Sequence, residues 1–347
     1  MHSAADDVRR AIDNRGAPIR FDEFVRLALY GEHGFYLGQR SGRAGRRGDF
    51  LTSPEVGPLF GAVIARALDS WWESLGRPDS FDVVEVGAGP GTLARAVLSA
   101  APSCKTALRY TAVEVSEQQR ALHPSGIESV ADFPERPLTG VVLANELLDN
   151  LPFRLFVYDG GWRESFVGFD RGRLVEHVLR AESLPQCLPK TATHGARAAV
   201  QDSARQWVES VIAHLSSGRI VVFDYCSTTG KMVSRPWREW LRTYASHERG
   251  VHFLSNVGEQ DITVEVAIDQ LPAPSSVSTQ ADFLRRHGID ALVEEGKHVW
   301  EERASSPDLE AMKMRSRVSE AEALLDTSGL GGFSVLEWRT RRAARVV

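Results

Sequence analysis

The stretch VVEVGAGPGTL, Val83 to Leu93, places three glycines, Gly87, Gly89 and Gly91, directly behind a short valine-rich run. Such a run is the pattern of a buried parallel strand. Glycines at its carboxyl end let the backbone come close to a ligand, and the helix that follows turns its free N–H groups toward it. Nicotinamide dinucleotides, flavins and S-adenosylmethionine all use turns of this kind. The dinucleotide form GxGxxG is incomplete here, because Thr92 stands where the third glycine belongs and Pro90 removes a backbone donor that a pyrophosphate would use. S-adenosylmethionine has no phosphate. Its amino-acid end carries an ammonium and a carboxylate, for which a nearby acid such as Glu85 is useful. The residues favour S-adenosylmethionine and leave a nicotinamide cofactor open.

Working outward, helical and apolar segments alternate. Leu59, Phe60, Val63, Ile64, Ala67, Leu68, Trp71 and Trp72 recur at helical spacing. Strands are expected at 81–86, 107–116, 127–133, 139–145, 218–225 and 261–268, with a last one in GGFSVLEWRT. After Pro152 the style changes to antiparallel strands joined by Gly-Gly and Arg-Gly turns. A long helix is expected over about 196–215, an irregular polar segment over 229–260, and an amphipathic helix over 307–327. The expected fold is α/β: a doubly wound, Rossmann-like sheet of about seven strands with an N-terminal extension and antiparallel and helical insertions. Glu114, at the end of the second strand, can accept both hydroxyls of a ribose. Asp132 and Phe133, after the third strand, can meet an adenine, although Phe133 reads equally well as a core aromatic.

Bulk properties narrow the function. The 347 residues carry 41 Lys and Arg against 46 Asp and Glu, a net charge of −5, which argues against a nucleic-acid partner. The cysteines Cys104, Cys187 and Cys226 are scattered and form no CxxC pair, so neither a disulfide framework nor a metal site is expected. No apolar run reaches the length of a membrane span, and the first residues do not read as a signal peptide. The cytoplasm is the expected compartment. Arg40, Arg43, Arg46 and Arg47 lie in a glycine-rich segment that reads as a solvated loop or as a lid over an anionic ligand.

The segments GDFLTSPEVGPLFG (48–61), VVEVGAGPGTLA (83–94), VEVS (113–116), ANELLDNLP (144–152) and VGEQDITVEV (257–266) occur in this order. They closely resemble the MidA-like methyltransferases, whose mitochondrial member is a respiratory-complex assembly factor that methylates an arginine. The resemblance implies a class I S-adenosylmethionine-dependent methyltransferase. Its N-terminal extension and cofactor-covering segment would occupy 1–75, and the methyltransferase domain 76–347, with insertions at about 152–190 and 229–260. It further implies that Gly87, Gly89, Gly91 and Thr92 form the cofactor turn with Glu85 beside it. Glu114 would hold the ribose, and Thr52 and Ser53 the methionine end. Cys226 stands after Asp224-Tyr225 where the family commonly has glycine.

An arginine acceptor needs carboxylates to orient a delocalised cation and to take its proton. If helix follows Asn145, Glu146 and Asp149 share a face and can grip two guanidinium edges, with Asn145 near the methyl. Capping of backbone is the plainer role for Asn145 and Asp149. Asp49 is a third candidate acid. The acceptor expected is a protein, possibly a respiratory-complex subunit. A cofactor-binding scaffold that works through protein contacts is the second reading.

Overall fold

Phe81–Val86 (β1) is buried along its whole length and lies inside a seven-stranded sheet. The computed structural model describes residues 2–38, 52–245 and 248–341. The chain divides into two units. One is built from Met1–Phe50, Leu147–Ser210 and Asp224–Ala273, the other from Leu51–Glu146, Val211–Phe223 and Pro274–Val347.

The second unit holds the sheet. Its remaining strands are β2 (Leu108–Val113), β3 (Glu128–Val130), β4 (Leu138–Asn145), β5 (Leu215–Asp224), β6 (Ser276–Thr279) and β7 (Ser334–Arg341), in the spatial order β6-β7-β5-β4-β1-β2-β3. The pairs β1–β2, β1–β4, β2–β3 and β4–β5 are parallel, and β6–β7 is antiparallel. Parallel strands need helical crossovers that cover the sheet, which is why the central strands β1 and β4 are buried almost throughout. The helices are α1 (Ser53–Val56), α2 (Pro58–Ser74), α3 (Thr92–Ser99), α4 (Glu117–Arg120), α5 (Gln280–Arg286), α6 (Ile289–Arg303) and α7 (Leu309–Leu325). The apolar stripe of α2 packs Phe60, Val63, Ile64 and Leu68 into one core with Val83, Val141, Val221 and Phe223. Phe60 meets Phe223 edge-on at 5.4 Å, and Phe223 meets Phe283 at 5.0 Å.

The SPEVGP segment has a packing reason for its glycine. Glu320 of α7 is buried beside the start of α2, where its Oε2 accepts the Leu59 N–H at 2.8 Å and its Oε1 accepts the Ser316 hydroxyl at 2.6 Å. A carboxylate there offsets the positive end of the helix. A Cβ at Gly57 would stand 2.2 Å from Glu320 Cδ.

In the other unit, Ala4–Arg15 and Phe21–Tyr30 are helices, the first closed by a Ser3–Asp6 capping box. A five-stranded antiparallel sheet joins Ile19–Arg20, Arg154–Tyr158, Trp162–Asp170, Arg173–Leu179 and Arg197–Val200. Its core centres on Phe21, which packs against Phe24, Phe153 and Phe253.

Three local expectations change. Asp261–Val264 is a strand, but it pairs with Leu241–Ala245 in a separate three-stranded sheet, and Ser276–Thr279 takes a place in the main sheet. The segment 196–215 splits into the strand Arg197–Val200 and the helix Asp202–His214. Within 229–260 lie a short helix, Thr229–Val233, and the strand Leu241–Ala245. Helices at Ala4–Arg15 and Ile289–Arg303 carry no strong sequence signal, since their apolar faces are narrow.

Substituting Gly57→Ala forces the buried Glu320 carboxylate off the α2 terminus and costs about 1–3 kcal/mol, the range for an overpacked interior. Scanning calorimetry reads this as a lowered melting temperature. An unchanged transition would show that Glu320 moves aside freely.

Candidate active site

The chain leaves β1 through the glycine turn. Gly87 N–H and Ala88 N–H both donate to the Val113 carbonyl, at 3.0 and 3.1 Å, and Gly91 N–H closes on the Ala88 carbonyl at 2.9 Å. Gly87, Gly89 and Gly91 have φ of 71°, 52° and 75°. Side chains with a Cβ rarely adopt these values, so the turn requires glycine at each position. A Cβ at Gly89 would meet no atom within 4 Å, so the turn is open on that side and offers its backbone to a ligand. Helix α3 starts at the half-buried Thr92 with no side chain capping it.

Two carboxylates lie beside the turn. Glu114, buried at the end of β2, accepts the Gly89 N–H on Oε2 at 2.9 Å and the Ser116 N–H on Oε1 at 2.9 Å. Each oxygen keeps a second lone pair, so a ribose can still be bound. Glu85 is also buried. Its Oε2 accepts the Tyr110 hydroxyl at 2.6 Å. Burial pushes Glu85 up from 4.5 to about 7, while the Tyr110 hydrogen bond pulls the other way. The side chain expected beside the cofactor tail is thus engaged by Tyr110 of β2.

The other expected contacts fall as follows. Thr52 N–H donates to Glu55 Oε2 at 3.2 Å. Ser53 Oγ, fully buried, donates to Gln280 Oε1 at 2.9 Å, which fastens the SPEVGP segment to α5. Asp132 is exposed, and the half-buried Phe133 meets His214 edge-on at 5.7 Å. Asn145 donates from Nδ2 to Glu146 Oε1 at 3.0 Å, and its Oδ1 is buried without a hydrogen-bond partner. Such an orphan acceptor fits a donor-bearing ligand such as an ammonium. Asp49 and the arginines at 40–47 lie outside the described residues.

The helix expected directly after Asn145 does not form. Glu146 N–H still donates to the Phe223 carbonyl at 2.8 Å, and the residue has φ of 52°, a left-handed conformation costly for a side chain. Helical turning begins only at Leu148–Asn150, as a 3₁₀ turn, so Glu146 and Asp149 do not share a helical face. Sheet pairing holds the chain extended until Glu146 and then bends it sharply. In the unit that begins at Leu147, Asp224 steadies the start of that 3₁₀ turn. Its Oδ2 accepts the Leu148 N–H at 2.9 Å and its Oδ1 the Tyr225 N–H at 2.9 Å. Burial raises Asp224 to about 7 against these bonds.

The same unit gathers groups that sequence reasoning missed. The buried Asp261 accepts two bonds from Asn150 Nδ2, at 3.0 and 3.2 Å, and one from the Tyr36 hydroxyl at 3.1 Å. The Tyr30 hydroxyl donates to the Asn150 carbonyl at 3.3 Å, and the Tyr30 and Tyr36 rings stack at 5.4 Å. Burial, then Asp261, pushes Tyr36 well above its ordinary range. The occurrence of Asn150 and Asp261 in the quoted motifs was a signal for part of the cluster, and nothing in the sequence pointed to Tyr30 and Tyr36.

Comparison with known proteins gives concordant matches. Residues 63–285 match a family described as S-adenosyl-L-methionine-dependent methyltransferases. The mouse mitochondrial protein arginine methyltransferase NDUFAF7 is 27% identical over 330 residues, covering 79% of this chain and 71% of that protein. Its Drosophila melanogaster homologue is 31% identical over 199 residues, covering 48% of this chain and 44% of the relative. A crystal structure of a protein from Burkholderia thailandensis, bound to S-adenosyl-homocysteine, aligns with a TM-score of 0.82 at 25% identity, over 97% of this chain and 92% of that one. The cofactor is therefore S-adenosylmethionine, and the nicotinamide alternative falls. The expectation of a cytoplasmic protein is also overturned, because the fly, mouse and human relatives are named mitochondrial. Among the described residues, no helix is long and apolar enough to cross a membrane.

Two substitutions test the acids at the turn. Glu114→Gln weakens S-adenosylhomocysteine binding by roughly tenfold or more, the scale of a charged hydrogen bond, as read by titration calorimetry. Glu85→Gln tests the buried acid. Because its folded value is raised, its favourable protonated form is complete below about pH 4.5 and is lost as pH rises through about 7. The variant therefore gains about 1–3 kcal/mol over wild type above pH 7 and little below pH 4.5. Melting curves across that range check it, and a difference independent of pH would contradict the raised value.

Proposed function

We propose that this chain, which belongs to the S-adenosyl-L-methionine-dependent methyltransferases, transfers the methyl group to an arginine side chain of a protein. The observation that carries this reading is the exit of β4. Val86 pairs with Ala144, so the glycine turn and Asn145-Glu146 leave the sheet from adjacent strands at the same edge. Open α/β sheets bind their ligands at that edge. An amide with an orphan acceptor and a carboxylate held in a left-handed turn are therefore delivered beside the cofactor turn. The names of the mouse and fly relatives point to arginine as the acceptor.

When bound, the cofactor supplies a methyl group on a sulfonium. The protein's task is to make a poor nucleophile reactive. A guanidinium is planar, charged and delocalised, so its nitrogens have little free electron density. In this reading, Glu146 accepts two N–H bonds from the guanidinium. It fixes the plane and draws positive charge onto the nitrogens it holds, leaving the third free to react. The same carboxylate takes up the proton released on methylation. Gly87, Gly89, Gly91 and Glu114 hold the nucleoside end. Val115, exposed next to Glu114, offers an apolar surface to a purine face. A respiratory-complex subunit is the first acceptor to try, because the resemblance in sequence motifs runs to an assembly factor of such a complex.

Purified protein given radiolabelled S-adenosylmethionine and a mitochondrial lysate should label protein, with methylarginine recovered after hydrolysis. Glu146→Ala should lower that transfer by roughly a hundredfold and leave S-adenosylhomocysteine affinity near wild type. Undiminished transfer would remove Glu146 from the clamp. Tight cofactor binding with no labelled acceptor would favour a scaffold.

A further inference from the structure

The glycine turn is gripped from two sides, and only one grip was legible in the sequence. Gly89 gives its N–H to Glu114, and its carbonyl oxygen lies 2.9 Å from His123 Nε2. A carbonyl can only accept, so Nε2 carries the proton. In the neutral ring, Nδ1 is then an acceptor, and Ser129 Oγ stands 2.8 Å from it, placed to donate its hydroxyl hydrogen. One imidazole thus spans from the turn after β1 to the edge strand β3.

The segment carrying His123 is itself fixed. Ser116 caps α4 through the Gln119 N–H, Arg120 Nη1 donates to the carbonyls of Glu114 and Val115 at 2.6 and 2.8 Å, and Arg95 of α3 donates to the Leu122 carbonyl at 2.8 Å. Gly91 packs directly on this segment, since a Cβ there would stand 3.0 Å from Pro124 Cδ and 3.1 Å from His123 Cδ2. Segment and turn form one latched unit.

The turn needs such a second handle. Pro90 has no N–H, so the middle of the turn has Gly89's own N–H and carbonyl as its nearest fixing points. Glu114 holds the N–H, but Glu114 is also the carboxylate that the ribose hydroxyls approach. A bond shared between backbone and ligand is a soft restraint when the ligand arrives. The carbonyl bond to His123 does not compete with the ligand in this way and keeps the Gly89 peptide in register.

We propose that His123 is a positioning residue for the cofactor: its Nε2–H, oriented by Ser129, fixes the Gly89 carbonyl so that the turn is formed before S-adenosylmethionine binds. The proposal rests on the cofactor and is independent of the acceptor.

The test is titration of the full chain with S-adenosylhomocysteine, with the unliganded melting temperature measured for every variant. His123→Phe keeps a ring and loses both nitrogens, and His123→Gln restores a donor of similar reach. The expected result is about fivefold to tenfold weaker binding for His123→Phe, the size of one backbone hydrogen bond, with His123→Gln recovering most of it. A packing role alone would be kept by the phenylalanine and would not be rescued by the glutamine. Wild-type affinity in His123→Phe, or a His123→Gln variant no tighter than His123→Phe, overturns the proposal. Ser129→Ala leaves the ring in place and frees its orientation. About twofold weaker binding is expected, and unchanged affinity together with poorly folded His123 variants would also overturn it.

Discussion

The hydrogen bond from the Gly89 N–H to Glu114 is the constraint around which the glycine turn is built. A carboxylate at the tip of one strand reaches sideways to the backbone leaving its neighbour, and does so from a buried position where the bond is strong and an unpaired charge would be costly. Three left-handed glycines give the turn its shape, but glycine supplies no means of holding it. The holding comes from side chains outside the turn, on β2 and on the segment that follows it.

The same device recurs through the molecule. Asp82 accepts the Thr139 N–H at 2.9 Å at the start of β4, and Glu320 accepts the Leu59 N–H at the head of α2. Asp69 accepts the N–H groups of Ser103 and Cys104 at 3.0 and 2.9 Å. In the other unit, Asp224 does this for Leu148 and Tyr225. Parallel strands end in loops with unpaired backbone donors, and a buried acid satisfies them without adding a strand. The cost shows in Asp224, which burial raises to about 7. Acids of this kind are easily mistaken for catalytic groups in a sequence, because both roles place a carboxylate at the carboxyl edge of the sheet.

That ambiguity separates what could be read from what could not. The parallel strands, the glycine turn and Glu114 were legible because each leaves a local pattern: a valine run, a spacing of glycines, an acid at a strand end. Ser53 was expected at the cofactor, yet its hydroxyl is committed to Gln280, 227 positions away. The expected helix after Asn145 failed because sheet pairing to Phe223 outlasts the local preference for a turn. Asp224 and Asp261 stood next to or within family motifs that gave them no role, and His123 stood in no local pattern at all.

The sequence by itself determined the class of fold, the family and the cofactor, since these rest on periodicity and on short motifs whose chemistry is contained in a few consecutive residues. Only the tertiary structure decided which acids face backbone, how Glu146 leaves the sheet, and that an unremarked histidine closes on the glycine turn. The reason is that a hydrogen bond joins groups by their separation in space, and for Gly89 and His123 that separation is 2.9 Å across 34 positions of chain.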